Sequence, residues 1–131
     1  MVKYWHKELS NIGNSDIGDD SIIHSHVWIG DGVVIGKRCR IQAFSFIPTG
    51  VTLLDDVFIG PRVTFTNDKH PPSDKWETTV VGPNVSIGAG AVILPGLVLG
   101  KGCKSGAGAV VTKNVPPGET WVGNPARKHG D

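Results

Sequence analysis

Residues 29–47 read IGDGVVIGKRCRIQAFSFI, and within them Ile29, Ile35, Ile41 and Ile47 recur at every sixth position. Followed outward, the series runs back through Ile23 to Ile17 and forward through Leu53 and Ile59 to Phe65. After a break it resumes as Val81, Ile87, Ile93, Leu99, Ser105 and Val111. Four residues beyond each member stands a second series, mostly small or β-branched, which includes Val27, Val33, Cys39, Ser45, Val57, Val63, Val85, Ala91, Cys103 and Ala109. Two series locked at one interval are the mark of a repeat architecture, in which each unit is a single supersecondary piece.

The residue before each large apolar position varies freely (Ile22, Trp28, Arg40, Phe46, Thr64), so three residues of every unit alternate in, out, in, as a short strand does. The other three are rich in Gly, Asp, Asn and Pro, as in Gly30-Asp31-Gly32 and Gly88-Ala89-Gly90, which tolerate positive φ and tight corners. A strand and a corner per hexad predict an all-β coil of triangular section, three units to the turn. About five such coils stacked at the sheet spacing of about 4.8 Å make a prism roughly 24 Å tall. Residues 1–16 read as a short N-terminal segment, and 17–131 as the repeat domain with a short C-terminal tail. Both cysteines occupy the small inward slot and read as packing thiols.

Composition excludes several classes. A chain of 131 residues is of one-domain length, and its 18 Gly and 9 Pro disfavour a helical bundle. Thirteen Lys+Arg against twelve Asp+Glu leave a net charge of +1, which argues for neither a nucleic-acid nor an anionic-membrane partner. With no apolar run long enough to span a bilayer and no signal-peptide pattern, the expected location is cytoplasmic. The five histidines and two cysteines lack metal-ligand spacing, so no metal is expected. Neither a GxSxG elbow nor a P-loop pattern occurs.

Phe65 and Val81 stand 16 positions apart where the rule demands a multiple of six, so the chain is expected to leave the third coil as a loop over 66–80. Insertions in a solenoid collect on its binding face. If the loop replaces one corner without changing phase, the outward positions sort into three faces. One carries Trp28, Phe46, Thr64, Val92 and Val110, without a charge and with two large aromatics. Such a stripe marks a subunit contact, and a three-sided prism with one adhesive face predicts a closed homotrimer. Asn67 then begins the loop at the rim of that contact, in a cleft between subunits. Asn67, Asp68, His70, His24 and His26 are the polar candidates there, and Trp76 is expected to anchor the loop.

The stretches VFIGPRVTFTNDKHP (57–71) and VGPNVSIGAGAVILPGLVLGKGCKSGAGAVVTKNVPPGETWVGNPAR (81–127) resemble the hexapeptide-repeat acetyltransferases that use acetyl-CoA. The resemblance implies a left-handed parallel β-helix, a trimer and active sites between subunits. Phe65-Thr66-Asn67-Asp68 followed by Pro71 is most similar to enzymes that N-acetylate nucleotide-linked amino sugars, in which an asparagine at the place of Asn67 lies beside the reacting centre. His24, His26 and Asp68 would then contact the acceptor. Coenzyme A would lie along the later corners at Ala89, Gly106 and Ala107, its phosphates met by Lys104, Lys113 or Arg127, with Lys101 a further candidate. A rival expectation makes His70 the general base for a sugar hydroxyl, since a hydroxyl must lose its proton to become a good nucleophile and an amine need not. A trimeric scaffold without activity is the third alternative.

Overall fold

The computed structural model describes residues 1–130, and every strand is two or three residues long. A strand this short gains little alone, so stability comes from stacking each on its equivalent in the next coil. The parallel pairing is regular: Ile22↔Arg40↔Phe58↔Ser86↔Lys104 on the first face, Trp28↔Phe46↔Thr64↔Val92↔Val110 on the second, and Val34↔Thr52↔Val80↔Val98 on the third. These are the three faces expected from the hexads.

The three sheets contain eight, six and five strands. The prism therefore has six windings and the start of a seventh, where the hexads indicated about five. The additional first coil comes from the N-terminal segment: Lys3–Tyr4 pairs with Ile22–Ile23, Asn11–Ile12 with Trp28–Ile29 and Asp16–Ile17 with Val34–Ile35. Its hexad spacing is broken because a 3₁₀ turn at Lys7–Leu9 lengthens the first corner. At the other end Thr120–Val122 continues the first sheet, and Arg127–His129 folds back antiparallel upon it. The C-terminal tail is thus a hairpin that covers the last coil.

Inward positions form continuous apolar columns. Ile23, Ile41, Ile59 and Ile87 line the first face, Ile29, Ile47, Phe65 and Ile93 the second, and Ile35, Leu53, Val81 and Leu99 the third, all essentially inaccessible to solvent. Burying each such side chain stabilises by about 1.5–3 kcal/mol. Cys39 and Cys103 sit among them as expected, and desolvation pushes the Cys103 thiol up to about 11. Gly88 shows why one corner position must lack a side chain: an added Cβ would lie 2.6 Å from the Ala107 backbone nitrogen of the next coil.

The excursion leaves the fourth coil, one later than expected because of the added first coil. It closes sooner than expected, since Thr79–Val81 is already strand and pairs with Val51–Leu53. The phase is intact: Val80 stacks between Thr52 and Val98. The Glu77 amide donates to the Asn67 carbonyl at 2.8 Å and ties the two sides of the loop together at its neck.

Candidate active site

Thr64–Phe65 delivers the chain to the edge between the second and third faces, and Asn67 is the second residue beyond that strand. Its side-chain nitrogen donates to the Thr49 carbonyl at 2.8 Å, one coil below. Because that partner is an acceptor only, the NH₂ side of the amide must face it. Its other N–H and its amide oxygen have no partner among the described residues, and the residue lines a half-open groove of about 470 Å³. Trp28, Phe46 and Trp76 supply aromatic walls to this groove, and Asp31, Thr49 and Asn67 supply polar ones. The rings of Trp28 and Phe46 are 6.2 Å apart and inclined at 32°, with 47% and 39% of their surfaces exposed in the single chain.

The rest of the loop is braced from within. Asp68 accepts from both the amide and the hydroxyl of Ser73, each at 2.7 Å. These bonds, the hydroxyl's first, hold the Asp68 carboxyl below its ordinary range, assisted by the neighbouring His70. Asp68 is therefore occupied in shaping the loop. Trp76 donates its indole N–H to the Ser73 carbonyl at 3.0 Å, yet remains 55% exposed. The expected anchor is thus a groove wall held at one end. His70 is exposed and lines a different hollow of about 380 Å³ with Lys69, Ser73, Lys75 and Glu77. Within one chain, Asn67 and His70 share a loop but line separate hollows.

His24 and His26 lie on the other edge of the second face, between the first and second faces. His24 packs beside Trp5, ring centroids 6.2 Å apart, and its Nε2 is 3.3 Å from the Gln42 side-chain nitrogen. His26 is at φ 58°, with its ring flat on Phe44. Ala89, Gly106 and Ala107 share this edge on later coils, where Gly88 and Gly106 keep the corners low. Lys104 projects from the adjoining first face and is exposed. Lys113 belongs to the Asn67 edge, Lys101 to the third edge, and Arg127 to the closing hairpin, where its guanidinium donates to the Ala126 carbonyl at 3.0 Å. A single chain therefore presents two clusters of candidates separated by the width of the second face. One has Asn67 and the aromatic groove; the other has the histidines and the bare corners.

Sequence reading passed over Arg62, Phe44 and Asp31. The first two carry a usable signal, since they follow His26 at successive intervals of 18 residues and must stack upon it. Among the described residues no three His, Cys, Asp or Glu side chains gather as a metal site, and no helix is long and apolar enough to cross a membrane.

Comparison with known proteins bears on the same features. Residues 78–113 match the family model described as bacterial transferase hexapeptide (six repeats). The chain is 33% identical over 130 residues to a serine acetyltransferase of Buchnera aphidicola, covering 97% of this chain and 44% of that protein. It is 30% identical over 127 residues to a galactoside O-acetyltransferase of Lactococcus lactis, covering 85% and 60%. The chain thus spans less than two thirds of the length of these curated relatives. Among solved structures, a variant of AntD, an N-acyltransferase from Bacillus cereus in complex with dTDP and coenzyme A, superposes with a TM-score of 0.86 at 22% identity, covering 98% of this chain and 82% of that one. A variant of GDP-perosamine N-acetyltransferase from Caulobacter crescentus, in complex with coenzyme A and GDP-perosamine, gives 0.85 at 22%, covering 99% and 58%. Repeat spacing, coil geometry and these likenesses converge on one fold: the chain winds as a left-handed parallel β-helix of hexapeptide repeats.

Proposed function

We propose that the protein transfers an acetyl group from acetyl-CoA to the amine of a nucleotide-linked amino sugar, at sites completed between subunits of a trimer. The observation that carries this reading is Asn67. It stands at the neck of the long excursion, donates to the Thr49 carbonyl and lines an aromatic-walled groove. Relatives in name and fold are acyl- and acetyltransferases, and two solved neighbours hold coenzyme A with a nucleotide or nucleotide sugar.

In the transfer, the amine lone pair attacks the thioester carbonyl carbon and an oxyanion forms. The carbon–sulfur bond then breaks, the amine surrenders a proton, and the thiolate takes one up to leave as free coenzyme A. The spare N–H of Asn67 would meet the oxyanion or hold the acceptor, and such a donor contributes about 3 kcal/mol to the transition state. The exposed Trp28 and Phe46 lie on the uncharged face, which an adjoining copy would cover. Covering it is what brings the Asn67 edge of one subunit to the bare-corner edge of the next, where pantetheine would run beside Ala89, Gly106 and Ala107. Lys104, exposed on the adjoining face, would meet a phosphate from the same subunit; Lys113 and Arg127 would serve from the neighbouring subunit or the end hairpin.

Acetylation of a sugar hydroxyl with His70 as base is the second reading, favoured by its exposure on the loop and by the galactoside O-acetyltransferase relative. Steady-state kinetics of Asn67→Ala and His70→Ala on amino-sugar nucleotides separate the two. Amine acetylation requires kcat/KM to fall about a hundredfold for the first variant and only a few-fold for the second. The reverse order would transfer the assignment to the hydroxyl reading.

A further inference from the structure

At the edge between the first and second faces, the corner tips of successive coils are His26, Phe44, Arg62, Gly90 and Gly108, at φ 58°, 66°, 59°, 71° and 69°. His26, Phe44 and Arg62 are all exposed. They make a column: the His26 and Phe44 rings are 4.9 Å apart and inclined by only 14°, and the Arg62 guanidinium sits 4.8 Å from the Phe44 ring centre. Phe44 remains half exposed. Above Arg62 the column ends at Gly90, which has no side chain to meet it.

Arg38 provides an internal comparison. It occupies the same tip position on another edge, at φ 56°, and the next tip in its column is Asp56. Arg38 binds that carboxylate through two nitrogens, at 2.8 and 3.0 Å. Arg62 forms no ion pair among the described residues. It is a cation seated over the Phe44 ring whose side-chain donors have no hydrogen-bond partner among the described residues. A stacked guanidinium keeps those in-plane donors free, and their fork matches two oxygens of a phosphate.

Height along the prism identifies which phosphate. Arg62 belongs to the fourth coil, the coil from which Asn67 departs, but across the second face from it, so in the proposed trimer it would meet the partner subunit's Asn67 at the same height. A thioester that reaches Asn67 has its own coenzyme phosphates a full pantetheine away along the edge. The phosphate of a phosphate-linked sugar lies only one ring from the amine that reacts.

We infer that Arg62, carried on the Phe44–His26 column, binds the phosphate of the acceptor and so selects phosphate-linked sugars over free ones. This rests on the acetyl-transfer reading, and its test is chosen to fail separately. Calorimetry on the full chain would measure uridine diphosphate, inorganic pyrophosphate and coenzyme A against wild type, Arg62→Lys and Arg62→Ala, with melting curves to confirm folding. Arg62→Ala is expected to weaken both diphosphate ligands about ten- to a hundredfold and leave coenzyme A unchanged, with Arg62→Lys between. Loss of coenzyme A binding with diphosphate binding intact, no change for any ligand, or no diphosphate binding by wild type would each overturn the assignment. Arg62-dependent diphosphate binding in a protein that acetylates no amino sugar would support the anion site and overturn the acetyl-transfer reading.

Discussion

Gly88 and Gly90 share a corner but are glycine for different reasons, and substitution distinguishes them. At Gly88 any side chain meets backbone of the next coil at 2.6 Å, whereas at Gly90 nothing lies within 4 Å and only the φ of +71° resists an L-residue. Gly88→Ala is expected to destabilise by several kcal/mol, because stacked backbones must separate, and Gly90→Ala by about 1 kcal/mol. Denaturant titration of the two variants would check the ranking. The cysteines offer a second residue-scale test. With its pKa raised to about 11, Cys103 is essentially all thiol at pH 8, and both cysteines are buried. Disulfide-exchange reagents should label neither in the native protein and both in denaturant; rapid native labelling would contradict the inward assignment. That assignment was legible from the hexad slot alone. The sequence could not show that Asp68 is already bound to Ser73, because a contact inside an irregular loop leaves no periodic trace.

The excursion is the element on which the functional argument turns, and its brace titrates. Bonds from Ser73 hold the Asp68 carboxyl below its ordinary value. A lowered folded-state pKa stabilises the loop above the unfolded value, and that contribution is lost as pH falls through the lower one. Loop protection should therefore be constant around neutrality and decline only in acid. Hydrogen exchange or limited proteolysis across 66–78 would follow this, and Asp68→Asn should show weaker protection at pH 7 with the acid step removed. That a loop exists was readable from the broken count between Phe65 and Val81. Its content was not: His70 and Asn67 are three residues apart, yet they line different hollows, which depends on how Trp76 and Glu77 return the chain. The first coil was missed for a related reason. A 3₁₀ turn alters the spacing on which the periodic argument depends, while Tyr4, Ile12 and Ile17 still pack against the core.

For the whole molecule, burial is uniform along the middle coils and incomplete at the first, so cost should depend on position. Ile41→Ala or Ile59→Ala is expected to cost about 2–5 kcal/mol, and Ile17→Ala, at the partly buried end, less. The charge-free second face sets a further expectation: Trp28→Glu should leave the coil folded, shift the mass in solution from trimer to monomer and abolish acetyl transfer. A monomeric wild type would remove the reason for placing the two clusters together. The excursion itself departs from the prism and returns with Val80 in step with Thr52 and Val98. Nothing above or below it must adjust to its length, so on the proposed reading the loop's share of acceptor preference can diverge by exchange of this cassette while the corners proposed for the acyl donor stay unchanged. A chimera that receives residues 66–78 from a relative of different specificity ought to shift its preference among phosphate-linked acceptors without recalibrating its use of acetyl-CoA.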